Sequence, residues 1–182
     1  MSVKKEIILG VTGSIAAYKA CDLTRRLQEA GFNVTIIMTR EAEEFITPLT
    51  SETLSGNKVF RGMFQEARES WEVDHVYLAE KASLLLIAPA TANIIAKLAC
   101  GIADDLLTCT AISTKAPVVI CPAMNEAMYK NKIVQENIRK LKSSGYKFIE
   151  PIKGRLACGK TGVGCLASIE DIVGEVKRIL AR

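Results

Sequence analysis

An α/β fold, one parallel sheet with helices on both faces, is predicted by three features of the sequence. Short and almost wholly apolar runs recur along the chain, amphipathic stretches separate them, and the runs end in turns rich in Gly, Pro, Ser, Thr and Asn. Strands without polar alternation are strands buried on both faces, and connections of helical length join parallel neighbours. Runs that alternate with helices in this way give a layered α/β domain.

The elements follow in order. Glu6–Val11 is the first strand and meets the turn Thr12-Gly13-Ser14. A helical pattern over 15–30 places Leu23 and Leu27 on one face, with Gly31 as the stop. The second strand is 33–39. Over 40–74 the pattern is weaker: Pro48 opens a helix that ends at Gly56, and 60–71 has no clear period. A buried strand at 83–88 is followed by helices over 92–99 and 104–113. Next come a strand at 117–121, a long amphipathic helix over 126–143 that stops before Gly145, and a strand at 146–149. Residues 151–166 are expected as a flexible loop, and Ile169–Leu180 as the closing helix. The whole is a single Rossmann-like (flavodoxin-like) domain spanning 1–182, without internal repeats.

Composition removes several function classes. At 182 residues, 49% hydrophobic and 24% charged, the chain can bury a core and is not disordered. The net charge of +4 is scattered, with its densest groups at Lys4-Lys5, Arg25-Arg26 and Arg139-Lys140-Lys142, so no nucleic-acid arm is expected. The apolar run at Leu84–Ala90 falls far short of the ~20 residues of a membrane span, and the N-terminus is charged at once by Lys4, Lys5 and Glu6. Six cysteines without an export signal are expected as reduced thiols of a cytoplasmic protein. A single histidine and the lack of C-x-x-C spacing argue against a metal site.

Ligands of such sheets bind beyond the C-terminal strand ends. The first of these, Gly10-Val11-Thr12-Gly13-Ser14, is not G-x-G-x-x-G, and the second strand ends in Met38, Thr39 and Arg40 where a ribose-binding acid would stand. A dinucleotide is therefore not expected. One flexible Gly, two hydroxyls and a helix start suit a single phosphate, although Ser14 as a plain N-cap explains the turn equally well. Pro89-Ala90-Thr91-Ala92-Asn93 ends the strand at 83–88 in the same style, and Thr39 adds a third hydroxyl, which favours a mononucleotide pocket. After the strand at 117–121 come Pro122-Ala123-Met124-Asn125 and Met128, readable as turn chemistry and helix core or as site residues. His75 is the only imidazole, placed just before a strand; it is a structural residue or the sole candidate for imidazole chemistry. Leu156 to Cys165 holds three glycines in six residues with Cys158 at its start, a surface loop or a lid.

Taken together, these segments resemble the homo-oligomeric flavin-containing cysteine decarboxylases over nearly the whole chain. The resemblance lies in Gly13-Ser14-Ile15-Ala16-Ala17, His75, Pro89-Ala90-Thr91-Ala92-Asn93 with Lys97 and Gly101, Ala103-Asp104-Asp105-Leu106-Leu107-Thr108, Pro122-Ala123-Met124-Asn125 and Ala157-Cys158-Gly159. It implies a catalytic set of His75, Asn125 and Cys158, and FMN held by Gly13, Ser14, Ile15, Thr39, Thr91, Ala92, Asn93, Ile94 and Ala123. Substrate would meet Asn125, Met128 and, at its phosphate, Lys19. The implied reaction is decarboxylation of 4'-phosphopantothenoylcysteine to 4'-phosphopantetheine in coenzyme A biosynthesis: thiol oxidation, CO2 loss and re-reduction. His75 serves the oxidative half, Asn125 the carboxylate, and Cys158 the final proton. A homotrimer or a multiple of trimers, with the site shared between subunits, is implied too, as is a phosphopantothenate-cysteine ligase partner, since the chain ends at Arg182 and reads as a stand-alone decarboxylase or an isolated half. Lys160 stands where members commonly carry an acidic residue, and Cys165 where they carry a basic one. The alternatives are a peptidyl-cysteine decarboxylase of the same family and a non-catalytic flavin-binding regulator; flavin prenyltransferases share the fold but not the combination of His75, Pro122-Ala123-Met124-Asn125 and Ala157-Cys158-Gly159.

Overall fold

A computed structural model describes residues 4–63 and 73–181. Six parallel strands, β1 (Glu6–Val11), β2 (Asn33–Met38), β3 (Val59–Phe60), β4 (Leu84–Ala90), β5 (Val118–Pro122) and β6 (Lys147–Phe148), form one sheet in the order β3-β2-β1-β4-β5-β6. This is the doubly wound order, in which the chain reverses direction of winding between β1 and β4.

Side-chain alternation explains why the strands read as continuous apolar runs. Ile7, Leu9 and Val11 of β1 and Leu84, Leu86 and Ala88 of β4 enter one core, while Ile8, Leu85 and Ile87 enter the other. The first core is covered by α1 (Lys19–Glu29) through Leu23 and Leu27, and by α9 (Ile169–Leu180) through Ile172 and Val176. The second is covered by α4 (Asp74–Lys81), α5 (Ala92–Cys100), α6 (Leu106–Ser113) and α8 (Lys132–Ser143) through Leu78, Ile94, Leu107, Ile138 and Leu141. Gly10 sits where α6 comes closest: a Cβ there would lie 2.5 Å from Leu107 Cδ1. Each fully buried Leu or Ile of these layers contributes about 1.5–3 kcal/mol.

Several expectations change. The helix over 15–30 opens with a 3-10 turn, Ile15–Tyr18, before α1 begins. Two short helices, α2 (Arg40–Glu43) and α3 (Pro48–Ser55), and strand β3 occupy the weakly patterned region, and residues 64–72, including Trp71, lie outside the described ones. The helix starting at 104 begins instead at Leu106, because Asp105 is its N-cap in a reciprocal capping box with Thr108. The long helix over 126–143 is two helices, α7 (Glu126–Tyr129) and α8, since Asn131 caps a new start by accepting from Ile133 N–H at 2.9 Å. His75 lies in the first turn of α4 rather than immediately before a strand. The loop expected over 151–166 is an antiparallel hairpin, β7 (Ile152–Arg155) and β8 (Thr161–Cys165). No helix among the described residues is long and apolar enough to cross a membrane.

Candidate active site

The turns that follow β1, β4 and β5 meet at the C-terminal edge of the sheet, and buried hydrogen bonds tie them together. Thr12 Oγ1 donates to Pro89 O at 2.8 Å and accepts from Thr91 N–H at 3.1 Å, which joins the two turns at the point where the winding reverses. Ser14 Oγ donates to Ala123 O at 3.2 Å, and Ala123 N–H donates to Ala90 O at 3.0 Å, which adds the third turn. From the sequence Thr12 was counted only as one of two hydroxyls suited to a phosphate, not as a tie between turns. Its only sign there was a hydroxyl beside a glycine at a strand end.

Ser14 and Thr91 are also N-caps, accepting from Ala16 N–H and Ile94 N–H, each at 3.4 Å. Gly13 also makes room for α2. A Cβ there would lie 2.4 Å from Glu41 Cβ, so the residue lets α2 approach the first turn. Thr39, which precedes α2, makes no side-chain capping bond. Its Oγ1 is buried without a hydrogen-bond partner among the described residues, an arrangement that costs about 1–3 kcal/mol unless a ligand completes it.

A cavity of about 680 Å³ opens over these turns. Gly13, Ser14, Ile15 and Lys19 line it from the first turn, Thr91 and Ala92 from the second, Ala123, Asn125 and Met128 from the third, and Arg155, Cys158 and Cys165 from the hairpin. Thr39, Asn93, Ile94 and His75 are not in its wall. Ile94 is buried in the second core, Asn93 is exposed, and half-buried His75 is carried by α4. Neither Lys19 nor Arg155 forms an ion pair with a described residue.

Asn125 is set by its own helix. As N-cap of α7 its Oδ1 accepts from Ala127 N–H at 2.8 Å, which fixes the amide so that Nδ2 faces the cavity. Nδ2 lies 3.8 Å from Cys158 Sγ, a contact of sulfur length. The other end of α7 is tethered by a Tyr129 hydroxyl that donates to Glu150, which also pairs with Lys142. Burial first, and then the Glu150 carboxylate, push the Tyr129 hydroxyl up to about 12, so it remains a donor.

Cys158 is exposed at the tip of the hairpin. Gly159 N–H donates to Leu156 O at 2.9 Å and Leu156 N–H to Lys160 O at 2.8 Å, which makes Ala157-Cys158-Gly159 a three-residue hairpin loop. The last position of that loop is left-handed, and Gly159 has φ +84°. Gly162 and Gly164 are not hinges. Their Cβ atoms would lie 2.4 Å from Glu126 Oε2 and 2.1 Å from Met124 O, so β8 rests directly on the segment that carries Asn125.

The expected FMN fits this donor set. Ser14 and Thr91 line the cavity with the small residues Gly13, Ala92 and Ala123 beside them, and Thr39, whose N–H donates to Val11 O at 3.0 Å beside the first turn, keeps a buried hydroxyl without a partner among the described residues.

Comparison with known proteins points the same way. The flavoprotein family model matches residues 1–181. The chain is 49% identical over 169 residues to the coenzyme A biosynthesis bifunctional protein CoaBC of Bacillus subtilis, covering 93% of this chain and 41% of that protein. It is 44% identical over 178 residues to a probable phosphopantothenoylcysteine decarboxylase of Streptococcus mutans, covering 97% of this chain and 99% of that protein. The chain thus spans about two fifths of the length of the bifunctional relatives. Among solved structures, a PPC decarboxylase variant complexed with pantothenoylaminoethenethiol superposes with a TM-score of 0.87 at 28% identity, covering 99% of this chain and 100% of that one. The FMN-dependent cysteine decarboxylase SpaF superposes with a TM-score of 0.85 at 30% identity, covering 98% of each chain.

Proposed function

The chain belongs to the flavoprotein family, and from that premise we propose that it is an FMN-dependent decarboxylase that converts 4'-phosphopantothenoylcysteine to 4'-phosphopantetheine in coenzyme A biosynthesis. The observation that carries the proposal is the pairing of Asn125 Nδ2 with Cys158 Sγ at 3.8 Å inside the cavity, with the amide oriented by Ala127 N–H. An amide donor and a thiol facing one space are what a cysteinyl carboxylate and the product left by its loss require. The similarity to relatives named for this pathway, two of them bifunctional proteins, supports the choice of substrate over a peptide ending in cysteine.

FMN would be held by Gly13, Ser14, Ile15, Thr91, Ala92 and Ala123 of the cavity wall, with Thr39, Asn93 and Ile94 flanking those turns, and when bound it would supply the reversible two-electron sink that CO2 loss needs. Asn125 Nδ2 donates to the substrate carboxylate and holds it until it leaves. Met128 lines the space beside it, and Lys19 offers its ammonium to the substrate phosphate. His75 takes the thiol proton in the oxidative half. Cys158 returns a proton to carbon in the closing half and is itself reprotonated from solvent, to which it is exposed.

His75 lies outside the cavity wall of its own chain. We therefore read the active protein as a homotrimer or a multiple of trimers in which His75 of a neighbouring copy completes the site. Exposed Val73 just before α4 and Val76 and Tyr77 on it, with Ile112 on neighbouring α6, support burial of that face against a second copy. The six free thiols support a cytoplasmic location.

The test is a coloured protein with equimolar FMN that releases CO2 from 4'-phosphopantothenoylcysteine and not from a peptide ending in cysteine. A colourless protein that cannot be reconstituted, or one that prefers the peptide, overturns the proposal. Sharing of the site is tested by mixing inactive His75→Asn and Cys158→Ala chains: reassembled oligomers should regain part of the activity, and a fully active monomer would contradict it.

A further inference from the structure

The hairpin that carries Cys158 is fastened to the segment that carries Asn125 at two points. Met124 N–H donates to Gly164 O at 3.0 Å, and Val163 N–H donates to Glu126 Oε1 at 3.2 Å. The Glu126 carboxylate also pairs with Lys130 Nζ at 2.8 Å. Lys130 first, and then Val163 N–H, hold that carboxylate below its usual range, so it is an acceptor at neutral pH. Gly162 and Gly164 are glycines because this contact leaves no room for Cβ atoms. Glu126 follows Asn125 directly in the chain, so neighbouring residues bind the carboxylate of the substrate and hold the strand that leads to the thiol.

We propose that Glu126 is a positioning residue for the closing half of the reaction, seating the hairpin through Val163 N–H so that Cys158 Sγ faces Asn125. The chemical part of this inference rests on the function proposed above; the clamp itself does not. The backbone contact to Met124 holds β8 at one point, and the contact at Val163 adds a second that fixes its direction. Misplacement of a reacting group by about 1 Å can cost on the order of 100-fold. Glu126 is partly exposed, with side-chain accessibility of 33%, so its replacement leaves the cores intact.

The experiment uses the FMN-loaded oligomer with Glu126→Ala, Glu126→Gln, Gly162→Ala and the Glu126→Ala, Gly162→Ala pair. Hydrogen exchange at the Val163 amide and alkylation of Cys158 read the clamp without substrate. Anaerobic single turnover separates flavin bleaching from product formation. In Glu126→Ala, exchange at Val163 should accelerate by about tenfold, bleaching should stay near the wild-type rate, and product formation should slow on the order of 100-fold. Glu126→Gln retains an acceptor oxygen and should restore product formation. Gly162→Ala should reproduce Glu126→Ala, because its Cβ displaces the carboxylate, and should add nothing once the carboxylate is gone. Unchanged exchange at Val163, product formation at the wild-type rate, or bleaching that falls in parallel with product would each overturn the proposal. Should the wild-type protein neither bleach nor release CO2, the proposed function fails, while the exchange data still decide the clamp.

Discussion

The two edges of the sheet carry polar residues of the same kinds and use them in opposite ways. At the N-terminal edge, the Glu6 carboxylate is 8% exposed and accepts from Asn33 Nδ2 and Thr35 Oγ1, each at 2.6 Å, with Lys81 Nζ at 3.4 Å. Glu6 N–H donates to Ser83 Oγ at 3.0 Å, and Asn57 Nδ2 donates to Asn33 Oδ1 and Val34 O. There the polar groups are closed on one another. At the C-terminal edge, Thr39 Oγ1 has no partner among the described residues, and Asn125 keeps its amide donors turned to the cavity. A closed network stabilises a fold, because removing any member strands the others. An open set costs stability in the unliganded protein and is repaid only when something binds.

The contrast can be broken from either side. The largest effect is expected at the open edge: His75→Asn should abolish turnover while FMN remains bound, measured by steady-state CO2 release and by the flavin spectrum. Cys158→Ala should slow the closing half by ~10²–10⁴-fold, with a decarboxylated species two hydrogens lighter than 4'-phosphopantetheine accumulating, and with Cys165→Ala as the control that turns over. Neither change should move the denaturation midpoint. At the closed edge the pattern should invert. Glu6→Ala, which removes the acceptor of Asn33 and Thr35 and the carboxylate paired with Lys81, should cost about 3 kcal/mol in urea unfolding and leave kcat unchanged. The smallest and most discriminating change is Thr39→Val. It should leave the FMN-free protein as stable or about 1 kcal/mol more stable, while weakening FMN binding by about five- to tenfold. A Thr39→Val protein that loses stability without losing FMN affinity would place Thr39 in the closed class.

How far the sequence reveals this molecule depends on whether a residue answers to its neighbours in the chain or to distant ones. β1 and α9 have the expected bounds, because Ile7, Ile8, Leu9 and Val11 form a continuous buried apolar run and Ser168 caps a strongly amphipathic segment. The hairpin over 152–165 was not legible. Gly154, Gly162 and Gly164 have no strand propensity, and β8 is held by Met124 and Glu126 from elsewhere in the chain. The break between α7 and α8 leaves the apolar pattern unchanged, and only Asn131 marks it. Gly13, Ser14, Thr91 and Asn125 share one cavity wall because strand-end turns converge in this architecture, while Cys158 joins them from the hairpin and was marked in the sequence only by its glycine-rich surroundings and the family resemblance. His75 was not placeable, since it lies in the first turn of α4 and outside the cavity wall of its own chain. Glu126 gave no sign, because a helix-start acid usually serves only its own helix.

The bond from Thr12 to Pro89 joins residues 77 positions apart, and the pairing of Ile7 with Leu84 spans the same interval. The β1–β4 contact thus waits on closure of a loop of that length, whose entropy opposes every contact across it. The mouth of the cavity does not exist until then. A flavin added to the unfolded chain has nothing to hold on the way down, and it can act only by slowing escape from the finished state. Refolding should proceed at one rate with or without FMN, and the cofactor should be visible only in how long the native protein survives.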